Sequence, residues 1–289
     1  MGRKRLAFAL AITGVFLVAE VVGALVSGSL ALLADAGHML TDVGALGLAL
    51  FASRLATRPP TSRRTFGLLR AEVLGAFVNG GSLVLIVGLI LWEAYHRLSS
   101  PPTIYTPVML AIGVLGLAAN LWCARVLMAS RHDNINIRGA FLHVVGDAMG
   151  SVAVIFAAIG IHLTGWMIID PLVSAGIAAI ILLGTYALLR DSLGILINAT
   201  PVGLDFEKIK HAMESNEHVE LVHDLHIWLI SSGIPILTAH VRLHPQCSDT
   251  SHWQQCLLQM QDMLSHRFGI VHSTLQFEPS GYRQDARLV

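Results

Sequence analysis

Apolar positions along the chain fall into two regimes. Between residues 6 and 189 they form six long runs, at 6–26, 30–55, 71–95, 107–128, 138–163 and 167–189. Each meets the requirement of about 20 apolar residues for a helix that crosses a bilayer. After Thr200-Pro201 the runs shorten and change period. Residues 205–216 open as a helix, with Asp205 as N-cap and Glu207 in the first turn. Residues 219–230 and 236–244 read as strands joined by Ser231-Ser232-Gly233. Residues 251–268 place Trp253, Leu257, Met260 and Leu264 on one helical face, and Gly269 ends that helix. A third strand follows at 270–277. The order αββαβ predicts a small sheet carrying both helices on one face, an α+β layer of ferredoxin type. The pattern therefore predicts an α-helical membrane protein with two domains. Residues 1–200 hold six transmembrane helices and residues 201–289 the ferredoxin-like domain. That domain buries a modest core, and its open sheet face and edge invite pairing with a second copy.

Composition agrees with the lipid assignment. Of 289 residues 54% are apolar and 13% charged, with a mean hydropathy of +0.64. An average soluble domain carries about 25% charged residues. Arg3-Lys4-Arg5 before an apolar run resembles a signal peptide, but that run extends to Val26, holds Glu20 and is followed at once by another. It reads as the first span. The links after the second and fourth spans carry Arg54, Arg58, Arg63, Arg64 and Arg70, then Arg125, Arg131 and Arg138. With Arg3, Lys4, Arg5 and Arg190, nearly every basic residue lies on one side, Arg97 excepted. The positive-inside rule puts both termini and the C-terminal domain in the cytoplasm. Zero net charge argues against nucleic acid as a partner. The cysteines Cys123, Cys247 and Cys256 show no CxxC spacing, so imidazole and carboxylate are the available metal ligands.

Two apolar runs each contain the same polar device. His38 and Asp42 stand four apart in the second, and His143 and Asp147 in the fifth, each pair on one helix face. An Asp at the centre of a span costs about 2.5–3.5 kcal/mol on insertion scales and marks function. Brought together, the four side chains offer nitrogen and oxygen donors with two negative charges, a set suited to tetrahedral zinc. Glu20, Glu72, Asn79 and Asn120 also sit within spans. Such residues often only hydrogen-bond a neighbouring helix. Glu72, one turn from the basic loop, is expected to pair with an arginine there, and Glu20 and Asn79 to line an aqueous path.

Several stretches together resemble the cation diffusion facilitators, the zinc-exporting transporters. Ser29-Leu30-Ala31-Leu32-Leu33-Ala34-Asp35-Ala36-Gly37-His38-Met39-Leu40-Thr41-Asp42 is similar to their second span. Arg64-Thr65-Phe66-Gly67-Leu68-Leu69-Arg70-Ala71-Glu72 resembles the loop entering the third. His143-Val144-Val145-Gly146-Asp147 resembles the fifth-span half of their transport site, and Val222-His223-Asp224-Leu225-His226-Ile227-Trp228 their first cytoplasmic strand. A lone HxxxD is weak; two in membrane spans, followed by this domain in this order, are specific. The resemblance implies a homodimer of six-span protomers that exchanges cytoplasmic zinc for protons, with His38, Asp42, His143 and Asp147 as transport ligands. Its His-Asp plus His-Asp set is the zinc and cadmium pattern. Residues 130–137 lack the His-rich insertion of many eukaryotic relatives, which points to a bacterial inner membrane.

The resemblance also implies metal on His223, His240, His272 and Glu278 in the cytoplasmic domain. Strand alternation puts His272, Thr274, Gln276 and Glu278 on one face and Leu275 and Phe277 on the other. It puts His240 with Thr238 and Arg242, opposite Leu237, Ala239 and Val241. His223 shares parity with the apolar Leu221, Leu225 and Ile227, while His226 has the polar parity. The two routes disagree on the first strand, and a twist or bulge at its start would reconcile them. Surface histidines on a dimerising sheet are the alternative.

Two other functions bear weighing. A membrane-anchored zinc sensor would make the cytoplasmic site primary and the span pairs mere hydrogen bonds. An intramembrane zinc enzyme would need an open coordination position, whereas four ligands close the site, and no HExxH occurs.

Overall fold

The computed structural model describes residues 2–56, 58–128, 135–247 and 250–282. Six long helices come first: α1 (Gly2–Ser27), α2 (Leu30–Ala56), α3 (Arg70–Ser99), α4 (Thr106–Met128), α5 (Ile135–Thr164) and α6 (Ile169–Leu196). Then come α7 (Phe206–Glu214), β1 (Val219–Ser231), β2 (Ile234–Leu243), α8 (Thr250–Phe268) and β3 (His272–Glu278). Among the described residues, α3 and α6 and the stretches Thr106–Val126 and Val144–Thr164 are long and apolar enough to cross a membrane. Shorter apolar stretches, Thr13–Ser27 and Leu30–Thr41, lie in α1 and α2. The chain thus has a helical membrane domain and a C-terminal domain built on a small sheet. By packing it divides into two units, residues 1–50 with 76–189, and residues 51–75 with 190–289.

Helix ends in the first unit follow from backbone chemistry. Gly28 (φ +73°) ends α1 and Gly165 (φ +71°) ends α5, in the left-handed region that glycine adopts without strain. The start of α2 is capped from elsewhere in the chain. Asp170 of α6, fully buried, accepts from Ser29 Oγ at 2.6 Å, Leu30 N at 2.8 Å and Ala31 N at 3.1 Å. A carboxylate here satisfies helix donors that have no partner within the helix and faces the positive end of its dipole. Arg97 approaches the same carboxylate at 3.8 Å, donates to Gly28 O at 2.6 Å and to Glu93 Oε1 at 2.8 Å. The basic residue that breaks the charge asymmetry therefore has a structural occupation: it holds α3, the α1–α2 turn and α6 together. Asn120 Nδ2 donates to Ser151 Oγ at 3.5 Å, one hydrogen bond between α4 and α5.

In the second unit the sheet order is β1-β2-β3, antiparallel then parallel. Its apolar face packs on both helices: Val222, Ile227, Leu237 and Val241 meet Ile209 and Met213 of α7 and Cys256, Met260 and Leu264 of α8. Leu275 and Phe277 join from β3. Asp205 caps α7, its Oδ1 accepting from Lys208 N at 3.2 Å. Gly269 (φ +70°) closes α8, with its N–H on Ser265 O and that of Ile270 on Leu264 O, each at 3.0 Å. Ser232 and Gly233 alone form the hairpin turn, because Ser231 pairs with Ile234 and belongs to β1. Glu72 differs from expectation. Its Oε2 accepts from Ser231 Oγ at 3.0 Å, and no arginine pairs with it among the described residues. A neutral hydroxyl at the hairpin lies closer than the loop's cations.

Candidate metal sites

Within the membrane domain the two predicted pairs sit on α2 and α5, and His38 and Asp147 approach each other between them. His38 Nε2 lies 3.8 Å from Asp147 Oδ1, with Asp147 5% exposed and His38 28% exposed. That distance is too long for a direct hydrogen bond and leaves the two lone-pair donors side by side. The side chains of Asp42 and His143 lie outside the described residues; their backbones are helical, four residues from His38 and Asp147.

The approach of α2 to α5 depends on a residue without a side chain. Asp35, one turn before His38 and buried, lies so close to Gly150 that a Cβ there would meet Asp35 Oδ1 at 2.9 Å. Glycine in a span permits this proximity. Glu20 of α1, 1% exposed, is a further buried carboxylate in this unit, and its Oε2 has no hydrogen-bond partner. Asn79 is buried, and a Cβ at Gly44 of α2 would meet its Oδ1 at 3.8 Å. Asp35 precedes His38 by three residues, so helical spacing alone could have singled it out.

The cytoplasmic cluster is fully described. His223 Nε2 lies 2.8 Å from Glu278 Oε2, and His240 Nδ1 lies 2.7 Å from Glu278 Oε1. Donor atoms of these three residues all lie within 4.8 Å of one another. Asp224 Oδ2 stands 3.6 Å from His240 Nε2, and Gln276 Nε2 donates to Glu278 Oε1 at 3.2 Å. Burial pushes the Glu278 carboxyl up, but hydrogen bonds from His223 and His240 outweigh it and hold the group below the usual carboxylate range. Two imidazoles and a carboxylate converging at this distance fit a small divalent ion with nitrogen and oxygen ligands.

The parity conflict on β1 resolves through an irregularity. His223 pairs with His240, and the next pair is His226 with Thr238, so two residues of β1 stand against one of β2. Asp224 takes the strain, with φ +49°. Before the bulge Val222 faces the core and His223 the polar side; after it, Leu225 and Ile227 are buried and His226 is exposed. Hence His223 and His226 share the polar face. This bulge falls at the sixth and seventh residues of β1, and a further register shift lies at the strand's start, between Val219 and Leu221.

His272 is not brought into the cluster. It pairs with Ile236, whereas His240 pairs with Gln276 and Arg242 with Glu278. Four residues of strand, roughly 13 Å, separate His272 from Gln276. Its ring instead meets Phe66 edge-on at 6.1 Å between centroids. Alternation places a residue on a face; it does not say where along the strand the partner stands.

Comparison with known proteins accounts for both regions. Residues 6–197 match the family model of the cation efflux transmembrane domain, and residues 201–280 that of the cation efflux protein cytoplasmic domain. The chain is 43% identical to the zinc transporter ZitB of Escherichia coli (strain K12), over 95% of this chain and 87% of that protein. It is 41% identical to the cadmium, cobalt and zinc/H(+)-K(+) antiporter of Bacillus subtilis (strain 168), over 95% and 88%. It is 42% identical to the metal cation efflux system protein CzcD of Cupriavidus metallidurans, over 95% and 86%. Among solved structures, the metal-bound C-terminal domain of the CzcD transporter matches 26% of this chain and 99% of its own, at 34% identity and a TM-score of 0.23. With the family models spanning both of its parts and relatives aligned along nearly its whole length, the chain belongs to the cation efflux family.

Proposed function

We propose that the protein moves zinc, with cadmium as a second substrate, out of the cytoplasm in exchange for protons by alternating access. The observation that carries this reading is the approach of His38 on α2 to Asp147 on α5. Asp42 and His143, one turn away on the same helices, complete a set of two imidazoles and two carboxylates. Two carboxylates offset the charge of a divalent ion, so the loaded site is tolerable in a low-dielectric bundle. Emptied, it would gather two carboxylates with no metal to offset their charge, a costly state in a membrane. Protons relieve that cost by binding the same lone pairs, so metal and protons compete and metal binding releases protons. A bundle that exposes this site to each side in turn couples the two fluxes through that competition alone.

The same reading takes α1–α6 as six spans in a bacterial inner membrane, with both termini cytoplasmic. It takes residues 1–200 as the transport domain and residues 201–289 as a ferredoxin-like domain through which the protein forms a homodimer. Zinc on His223, His240 and Glu278 would tie β1, β2 and β3 together on the sheet face away from α7 and α8. His272 has no part in that cluster within one copy.

Purified protein in vesicles enclosing a zinc-sensitive dye tests the proposal. Zinc should cross only when protein is present and faster with an opposing pH gradient. Flux no greater than in protein-free vesicles would sink the reading. A zinc-responsive cytoplasmic domain would then leave a membrane-anchored sensor.

A further inference from the structure

A cavity in the unit formed by residues 51–75 and 190–289 is lined by none of the candidate metal ligands. It encloses about 660 Å³ between the α2–α3 loop, the first turns of α3, the end of α6 and the β1 hairpin. Arg63, Arg64 and Arg70 supply its charge, and Leu74, Leu196 and Trp228 an apolar wall. Among the described residues no carboxylate pairs with any of these arginines. Arg70 donates through Nη2 to Asn198 Oδ1 at 2.5 Å, while its buried Nε has no hydrogen-bond partner. A guanidinium N–H without an acceptor is costly, and an anion seated beside Arg70 in the cavity would supply one. Arg70 also opens α3, so the positive end of that helix adds to the field.

We propose that this cavity binds the phosphodiester head group of an anionic glycerophospholipid, with the start of its acyl chains against Leu74, Leu196 and Trp228. Three features favour a lipid over other occupants. The cavity lies beside the first turns of α3 and the end of α6, two helices apolar enough to span a membrane. Its floor is apolar, with Leu74 53% and Phe66 47% exposed, which a soluble phosphate would leave uncovered. Its arginines would repel the same loop of a second copy across a two-fold contact. Juxtamembrane arginines attract anionic lipid, each strengthening binding by about fivefold near the surface. A lipid seated here would touch the α2–α3 loop and the β1 hairpin at once.

The test uses the full-length protein in neutral detergent and follows lipid retained in native mass spectrometry. Phosphatidylglycerol should be retained in preference to phosphatidylcholine of the same chains, and a large excess of inorganic phosphate should not displace it. Replacing Arg63→Gln together with Arg64→Gln should cut the preference by about tenfold or more. Arg70→Gln should do the same, and Arg125→Gln, at another basic helix end, should leave it unchanged. If Arg70→Gln loses its fold, the double variant carries the test, since both its side chains are exposed. Equal retention of the two lipids, or a preference that survives the double variant, would overturn the proposal. So would displacement by phosphate, or a cysteine at Phe66 that cross-links two copies regardless of added phosphatidylglycerol.

Discussion

At the scale of single residues, the side chains that matter most are those whose neighbours come from distant parts of the chain. Asp147 meets His38 from another helix, and its removal leaves the proposed site with one carboxylate for a divalent ion. Asp147→Ala should bring zinc flux in vesicles to background while the elution volume of the purified protein stays unchanged. His38→Asp, a harder oxygen ligand, should shift preference from zinc toward manganese in competition flux. Normal flux dependent on no pH gradient in Asp147→Ala would refute the mechanism. Glu278 makes a different prediction. Its carboxyl is held below its ordinary value in the folded state, so it contributes stability above the unfolded value of about 4.3. That contribution is lost as pH falls through the lower folded value. The melting temperature of a fragment of residues 204–289 should therefore fall as pH drops below about 4.3 and on through the lowered folded value, and less steeply in Glu278→Gln.

At the scale of elements, two irregular places do more than the regular ones. The β1 bulge turns His223 onto the polar face, and Asp224 pays for it with a left-handed backbone. Asp and Asn tolerate that conformation best after glycine, and β-branched residues worst. Asp224→Val should lower the melting temperature of the domain by about 5–10 °C, from a strain of about 1–2 kcal/mol, while Asp224→Asn should change it little. An equal fall in both would mean that the carboxylate, not the backbone, is what counts there. The other place is the start of α2, which has no cap of its own beyond Ser29. Asp170 caps it across 140 residues of chain. Asp170→Ala strips that cap and leaves buried donors at the start of α2 without their acceptor, a loss of about 1–3 kcal/mol, while Arg97 keeps Glu93. The full-length protein in detergent should melt well below the parent, and Ser29→Ala should show a milder fall of about 1 kcal/mol. Similar melting of Asp170→Ala and parent would sink this account.

Over the whole molecule, the arrangement of charge makes its own prediction. On a background without Cys123, Cys247 and Cys256, a cysteine placed at the exposed Thr164 should react with an impermeant thiol reagent from outside the cell. One at Ser62 should not. Reversed labelling would overturn the orientation and the direction of export that rests on it. Much of the architecture was legible without coordinates. The long apolar runs foretold α1–α6 to within a turn or two, and period and turn chemistry foretold the αββαβ order, the Asp205 cap and the Gly269 stop. Each of these depends on neighbours within a few residues, where backbone geometry and burial leave few choices.

What only the tertiary structure decided are the distances between elements. The pairing of His38 with Asp147, of Asp170 with the start of α2, and of Glu72 with Ser231 all join residues far apart in the chain. The same holds for the separation of His272 from Glu278, which follows from the β2–β3 register. Alternation along a strand repeats every two residues and therefore identifies a face but neither a register nor a bulge. Helical spacing likewise puts His38 and Asp42 on one stripe without saying which helix that stripe meets. Local periodicity thus determined the elements and their polar faces. Packing between elements, which sums many contacts over the whole chain, determined which faces meet.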